Sequence, residues 1–139
     1  MKRTGVLVVG VFVLGLVIGW RGSHSLSAPA VSVTRTELLR TDLAGVAGTE
    51  VVMVLAEIAP GATTGPHLHA GQEFAYLLEG SLRLVVDGKP AVILGAGEAV
   101  QQPPRQVHEG QNTSATTPAK VLAVYVAEKG QPLTTPVPQ

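Results

Sequence analysis

Apolar and polar residues alternate along most of the chain from Val31 onward, in short stretches separated by glycine, proline and other turn residues. A period of two is typical of β-strands, because successive side chains of a strand point to opposite faces. The stretches are VSVTRTELLR, EVVMVLAEI, EFAYLLE, LRLVVDGKPAVIL, RQVHEGQN and AKVLAVYVAE. Asp87-Gly88 predicts a hairpin within the fourth stretch, whereas GAGEAVQQPP breaks the pattern. About seven or eight short antiparallel strands predict an all-β sandwich or barrel.

The N-terminus follows a different pattern. Lys2 and Arg3 precede an uncharged apolar run over residues 5–20, which Arg21 closes. As a helix, these 16 residues would span about 24 Å, against about 30 Å for the core of a bilayer. Two routes of export remain open: an uncleaved anchor, which Trp20 at the membrane interface would suit, or a signal peptide cleaved near SAPA. Both predict a periplasmic domain, either soluble after cleavage or anchored to the inner membrane by residues 5–20.

Length and composition limit what the rest of the chain can be. A chain of 139 residues suits one domain, so we predict a signal peptide or membrane anchor at 1–21, a linker at 22–31, a barrel at 32–130 and an extended C-terminal tail at 131–139. Ten basic and ten acidic residues without a charged block argue against nucleic acid as a partner. Membrane contact is expected only through the N-terminal segment. The chain has no cysteine, which excludes disulfide and thiolate chemistry.

Polar residues suited to chemistry are concentrated in the stretch GPHLHAGQEF. His67, His69 and Glu73 all occupy odd positions, so an extended segment would point them to one face, with Gly71 free to bend or bulge between them. His108, in a later stretch, adds a third imidazole. Three imidazoles and a carboxylate are a ligand set for Fe, Mn, Ni, Cu or Zn. From these residues alone, a metal site and a group of polar loop residues both remain open.

The other face of the same segment carries Phe74, Tyr76 and Leu78. The alternation predicts that this is the packing face, with Tyr76 in the core. Glu57 has two interpretations, a proton-transfer group that lines the barrel or an exposed residue of a strand, and the second is favoured.

The spacing of the glycines and candidate ligands resembles the two sequence motifs of the cupin superfamily. The first motif matches at Gly61, His67, His69, Glu73 and Gly80. After a gap of 16 residues, the second motif matches at Gly97, Pro103, His108 and Asn112. One position departs from the pattern, since Arg105 stands where the motif usually has glycine. The resemblance implies a single-domain cupin barrel, that is, a jelly roll or double-stranded β-helix.

The resemblance also implies roles for the matched residues. It implies that one divalent transition metal ion (Fe, Mn, Ni, Cu or Zn) is bound by His67, His69, Glu73 and His108. Glu73 would also act as the catalytic base.

Further roles concern the backbone. Gly61 and Gly80 would be turn glycines, Pro103 would end a strand, and Asn112 would be structural. At Arg105 the local turn is in question, because an arginine disfavours positive φ. Its guanidinium could instead bind a carboxylate at the mouth of the barrel.

Function follows less directly, because one fold supports many chemistries. The four retained ligands resemble those of quercetinase-like small cupins, which implies a metal-dependent oxidoreductase of the dioxygenase type acting on a small, partly apolar organic substrate that contains oxygen. A second hypothesis is a non-catalytic periplasmic module that binds a metal or a small ligand, and a third is an isomerase or epimerase. The sequence leaves open whether the protein is an enzyme. A homodimer is implied, because small cupins usually pair.

Overall fold

The computed structural model describes residues 33–138, which form ten strands and no helix. The strands are β1 (Val33–Asp42), β2 (Thr49–Ile58), β3 (His67–Leu68), β4 (Gln72–Glu79), β5 (Ser81–Val86), β6 (Val92–Gly95), β7 (Ala99–Gln102), β8 (His108–Gln111), β9 (Ala119–Glu128) and β10 (Thr135–Pro136). The prediction of an all-β domain is confirmed. Within this part of the chain, no helix has the length and apolar character of a membrane span. The predicted signal or anchor at 1–21 and the linker at 22–31 lie outside the described residues.

The strands form two antiparallel five-stranded sheets that pack face to face as a jelly roll. The first sheet has the order β1-β2-β9-β4-β7, and the second has the order β10-β3-β8-β5-β6. β9 pairs with both β2 and β4, so a strand from the end of the domain lies at the centre of the first sheet. Most strand pairing therefore joins distant parts of the chain.

The predicted strands correspond closely to the longer observed ones, whereas the short strands β3, β7 and β10 were not predicted. β5 and β6 pair through the predicted hairpin at Asp87-Gly88, and β9 covers AKVLAVYVAE residue for residue. The stretch GAGEAVQQPP, however, contains β7, which pairs with β4. Four residues are too few for alternation to reveal a strand, and β7 is recognisable only through its partner.

Two clusters of apolar side chains fill the space between the sheets. The first consists of Ile58, Ala62, Leu77, Leu82 and Ala119. The second consists of Val52, Val54, Ala123 and Tyr125. The isoleucine, leucine and valine side chains among them contribute about 1.5–3 kcal/mol each when fully buried. The inner face of β2 supplies three of these, Val52, Val54 and Ile58.

The packing face predicted for β4 is wrong. Phe74, Tyr76 and Leu78 are 47%, 43% and 42% exposed, whereas Glu73 and Leu77 are buried. Alternation shows that a strand has two faces, but not which of them meets the opposite sheet. The face with the carboxylate is the inner one here, and on it Oε2 of Glu73 lies 3.2 Å from Nε2 of His69 and 3.2 Å from Nε2 of His108.

The predicted backbone roles can be compared with the torsion angles. Gly61 and Gly80 have φ of 70° and 80°, a region that residues with side chains disfavour, so their role as turn glycines is confirmed. Arg105 has φ of 62°, which shows that the turn forms with arginine in place of the usual glycine. Its backbone N–H donates a 2.8 Å hydrogen bond to the carbonyl of His69. Pro103 directly follows β7, as predicted for a residue that ends a strand.

Candidate metal centre

The four predicted ligands come from both sheets. His67 in β3 and His108 in β8 are register partners in the second sheet, whereas Glu73 lies in β4 of the first sheet. His69 lies in the segment that crosses between the sheets. The shared odd numbering therefore does not reflect one extended strand. The side chains meet because the two sheets pack against each other.

Gly71 allows the chain to make this crossing. A Cβ atom at position 71 would lie 2.2 Å from the carbonyl oxygen of Val126 and 2.6 Å from the Cβ of Ala127. Both distances are shorter than any real contact of a Cβ atom, so the backbone of the crossing segment packs directly on β9. The glycine is needed for close approach to β9.

The candidate ligands form one compact cluster, and all four are buried. One ring nitrogen from each of His67, His69 and His108 lies within 4.8 Å of the other two, so these three histidines could hold a metal ion. Oε2 of Glu73 is 3.2 Å from Nε2 of His69 and 3.2 Å from Nε2 of His108. The structure brings the predicted set together, while the role of Glu73 as a fourth ligand stays a prediction.

Hydrogen bonds on the far side of each imidazole fix its orientation. Nδ1 donates to a backbone carbonyl in every case: from His67 to Gly65 at 2.9 Å, from His69 to Leu133 at 2.5 Å and from His108 to Gln106 at 2.9 Å. A carbonyl oxygen can only accept, so each Nδ1 carries a proton and each neutral ring presents a lone pair at Nε2. This tautomer is the one that a metal ligand needs, with the second hydrogen bond orienting the ring.

The inner side of the cluster fits a cation. Nε2 of His69 is buried without a hydrogen-bond partner, although a carboxylate oxygen lies 3.2 Å away. A lone pair facing a carboxylate is repelled unless the ring is protonated or a cation lies between them. Desolvation lowers the pKa of His67 to about 4, so that ring is neutral at neutral pH. A divalent transition metal would satisfy these groups together, since its imidazole ligands must be neutral and its carboxylate ligand ionised.

Glu73 gives the cluster a negative charge. Burial raises the pKa of Glu73, but the neighbouring imidazoles of His108 and His69 outweigh burial and hold the pKa well below its usual range. Burial lowers the pKa of His108, yet the neighbouring Glu73 carboxylate outweighs this effect and raises it. The carboxylate is therefore ionised at neutral pH and attracts cations.

Tyr125 and Gln102 flank Glu73, and the sequence-based prediction missed both. Gln102 in β7 and Tyr125 in β9 are the register partners of Glu73 on its two sides, and both are buried. The ring of Tyr125 lies 4.8 Å from that of His69, measured between centroids. Burial and the charge of Glu73 raise the pKa of the Tyr125 phenol, so its hydroxyl stays protonated. Neither residue belongs to a motif, and each reaches Glu73 only through the pairing of β4.

A cavity extends from the cluster between the sheets, and most of its wall is aliphatic. Ala75 and Leu77 line it from the first sheet, and Leu82 and Leu84 line it from the second. Arg35 in β1 also lines the cavity, and it is the only lysine or arginine among the lining residues.

The C-terminal segment contacts the candidate ligand cluster. β10 pairs with β3, so that Pro136 is the register partner of His67. Leu133 packs against the second core cluster, and its carbonyl accepts the hydrogen bond from His69. A short stretch rich in proline and threonine carries no periodic signal, so the sequence did not reveal these contacts.

Three other residues discussed for the sequence lie away from the cavity. Glu57 is on the outer face, with its side chain 45% exposed and 3.9 Å from Lys120, so its interpretation as an exposed strand residue is correct. Arg105 is exposed and does not line the cavity. Asn112 is buried and structural: its side chain is hydrogen-bonded to the backbone of Ile58, Ala59, Ser114 and Thr117.

The fold and the site agree with a comparison to known families. Residues 54–125 match the family described as Cupin domain, which is just over half of the chain. The chain therefore belongs to the cupin family. No curated protein matches the chain in a sequence comparison.

Solved structures with a similar fold come from proteins of different activities. An uncharacterized conserved protein with a double-stranded β-helix domain from Klebsiella pneumoniae is 19% identical, with 81% of this chain and 90% of that chain covered and a TM-score of 0.62. The polyketide cyclase RemF from Streptomyces resistomycificus is 28% identical, with 77% and 72% covered and a TM-score of 0.60. The DMSP lyase DddQ from Ruegeria pomeroyi is 18% identical, with 63% and 43% covered and a TM-score of 0.56. This chain thus spans less than half the length of that lyase.

Proposed function

We propose that the protein is a metal-dependent enzyme that acts on a small, largely apolar organic molecule with oxygen donors, and that its reaction is an oxidation of the dioxygenase type. The observation that carries the proposal is the convergence of three oriented histidines beside an ionised carboxylate on the wall of an apolar cavity. One divalent transition metal ion would be held by His67, His69, Glu73 and His108. When bound, it would supply Lewis acidity toward a chelating oxygen donor and, if redox-active, a centre for reaction with dioxygen.

The residues around the ligands are suited to moving a proton. Glu73 is ionised and accepts, whereas Tyr125 keeps its proton and donates. A substrate hydroxyl or an acidic C–H bond would lose its proton to a carboxylate oxygen of Glu73, and the phenol of Tyr125 would stabilise the charge on the adjacent oxygen by a hydrogen bond. The aliphatic wall excludes water and strengthens both interactions.

The same pair of groups supports a second candidate, a reaction that transfers protons without dioxygen. An isomerase, epimerase, lyase or cyclase needs a base and an acid that face one substrate, and Glu73 and Tyr125 are register partners on the inner face. RemF, at 28% identity, is a polyketide cyclase. A non-catalytic binding module is less well supported, because it gives no role to a buried phenol beside the candidate ligands.

We also propose that the domain is exported. The basic and then apolar residues at 1–21 support this by their similarity to signals and anchors. A fusion of residues 1–31 to a reporter that is active only in the periplasm would test it, with Lys2 and Arg3 replaced by glutamate as the control that reduces export.

Metal binding at this site is tested by elemental analysis of the purified full chain. We expect about one transition-metal ion per chain, and its near-complete loss in the His67→Ala, His69→Ala double variant. His24→Ala, which changes a histidine of the predicted linker, is the control that should keep its metal. A double variant with as much metal as the wild type would show that the centre is assigned wrongly.

The reaction is tested by oxygen uptake with a panel of flavonols, catechols and diketones. Substrate-dependent uptake that Tyr125→Phe lowers by about 10²-fold, with metal content unchanged, is the expected result. Conversion of substrate in the absence of dioxygen, with exchange of a substrate hydrogen for solvent deuterium, would favour the second candidate. If the metal-loaded chain neither consumed dioxygen nor exchanged hydrogen across the panel, a binding module would be the better account.

A further inference from the structure

Arg35 extends the inner face of the first sheet toward solvent. Its register partner in β2 is Ala56, and Ala56 pairs in turn with Val121, which pairs with Leu77. All four residues line the cavity. The strand β1 is at the edge of its sheet, so this arginine is exposed to solvent while it borders the cavity.

Arg35 is free to bind a ligand, in contrast to its neighbour on the same strand. Arg40 is paired with Glu37 at 2.8 Å and with Glu50 at 2.5 Å. The side chain of Arg35 has no ion pair or hydrogen bond with any residue of 33–138.

The cavity thus has two polar ends and an apolar middle. Leu77 belongs to the same row of paired residues across the sheet as Arg35, and it lies four residues along β4 from Glu73. This separation corresponds to about 13 Å along the strand. Between Leu77 and Glu73 the wall includes Ala75, Ala123 and Val100. A molecule that reaches from one end to the other needs an apolar body, since the middle of the wall offers no hydrogen-bond partner to a polar one.

We propose that Arg35 is an anion subsite and that the molecule bound in this cavity is an organic carboxylate, with its acid group at Arg35 and its other oxygen donors at the histidine cluster. The proposal deepens the proposed function, on which its metal end rests. A guanidinium is the side chain that matches a carboxylate best, because its planar N–H groups can bind both oxygens.

The subsite can be tested by calorimetry on the full chain, with hexanoate and hexan-1-ol as matched probes. We expect the wild type to prefer the acid, and Arg35→Met to reduce affinity for hexanoate by at least about tenfold, the loss expected for a charge-assisted hydrogen bond. Affinity for the alcohol should stay within about twofold, because the aliphatic wall is unchanged. Arg35→Lys should recover part of the preference, and Arg83→Met, at a residue paired with Gln111 on β8 at 2.7 Å, should behave as the wild type.

The same titrations after metal removal separate this inference from the proposed function. A carboxylate could also bind the metal, so a preference for hexanoate that disappears on chelation but survives in Arg35→Met would overturn the subsite. Equal losses of acid and alcohol in Arg35→Met, or equal affinity of the wild type for both, would also overturn it. If the preference depends on Arg35 while the chain turns over no substrate, the anion subsite stands and the proposed enzymatic function fails.

Discussion

Gly71 lies between His69 and Glu73, and its backbone is packed against β9. Its φ is not in the left-handed region, so the requirement for glycine here concerns space and not torsion angle. Arg105 shows the opposite case. It adopts φ of 62° at an exposed turn where nothing restricts the side chain, and there a residue other than glycine costs only about 1–2 kcal/mol.

We expect Gly71→Ala to destabilise the domain by at least about 3 kcal/mol, because a Cβ at 2.2 Å from the Val126 carbonyl oxygen must displace backbone of a central strand. Chemical denaturation measures the change. Gly95→Ala is the matched control, since its nearest neighbour would be the flexible end of Glu98 at 3.5 Å, and it should change stability by no more than about 1 kcal/mol. Equal effects of the two variants would contradict the packing argument.

At the scale of elements, the candidate metal centre depends on three separate segments that hold its histidine rings. β3 and β8 place His67 and His108 side by side, while the C-terminal segment supplies the carbonyl that orients His69. Backbone partners of this kind typically change metal affinity when lost, because they fix both the tautomer and the direction of the ring. The tail is therefore part of the site even though it offers no ligand.

A chain that ends at Gly130 should bind its metal about 10–100-fold more weakly than the full chain. The reason is that His69 loses its carbonyl partner and β3 loses its neighbouring strand β10. Competition with a chelator of known affinity measures this. A chain that ends at Pro136 keeps Leu133 and loses, among the hydrogen bonds of residues 33–138, the one from Val137 to Pro66, so it serves as the control and should bind nearly as the full chain does. Unchanged affinity in the shorter chain would show that the segment does not support the ring.

At the scale of the whole molecule, the outer face of the first sheet carries exposed apolar side chains such as Phe74 and Tyr76. Its rows Met53–Val124–Phe74 and Leu55–Leu122–Tyr76 run across three adjacent strands, and no described element covers them. Lys120 at its border is already paired with Glu57 and Glu79. The four long strands of this sheet, at about 4.8 Å spacing and about 30 Å of strand length, give a face of roughly 600 Å², comparable to the about 800 Å² per partner of a stable interface. We therefore propose a second copy of this chain as the partner of this face.

The domain beginning at residue 31 should accordingly be a dimer in light scattering. Phe74→Glu combined with Tyr76→Glu should give a monomer, because two charges would have to be desolvated in the apolar contact. Ile93→Glu introduces a charge at a residue of β6 that is 62% exposed on the other sheet, and it should leave the dimer intact. A wild-type domain that is monomeric at high concentration would refute the pairing.

Much of this protein was determined by the sequence alone, wherever the signal is local. Alternation revealed most of the long strands, and Asp87-Gly88 revealed the hairpin. These properties depend on a few neighbouring residues and on turn chemistry, which a sequence displays directly. That His67 and His108 meet was implied instead by the resemblance to the cupin motifs.

Only the tertiary structure decided which face of β4 is inner, and hence that Phe74 and Tyr76 are exposed while Glu73 is buried. It likewise decided that Tyr125, Arg35 and the carbonyl of Leu133 reach the same cavity or its ligands. The physical reason is that these contacts arise from pairing between distant strands and from packing of one sheet on another. Such contacts depend on the positions of whole elements, and no local pattern of residues encodes them.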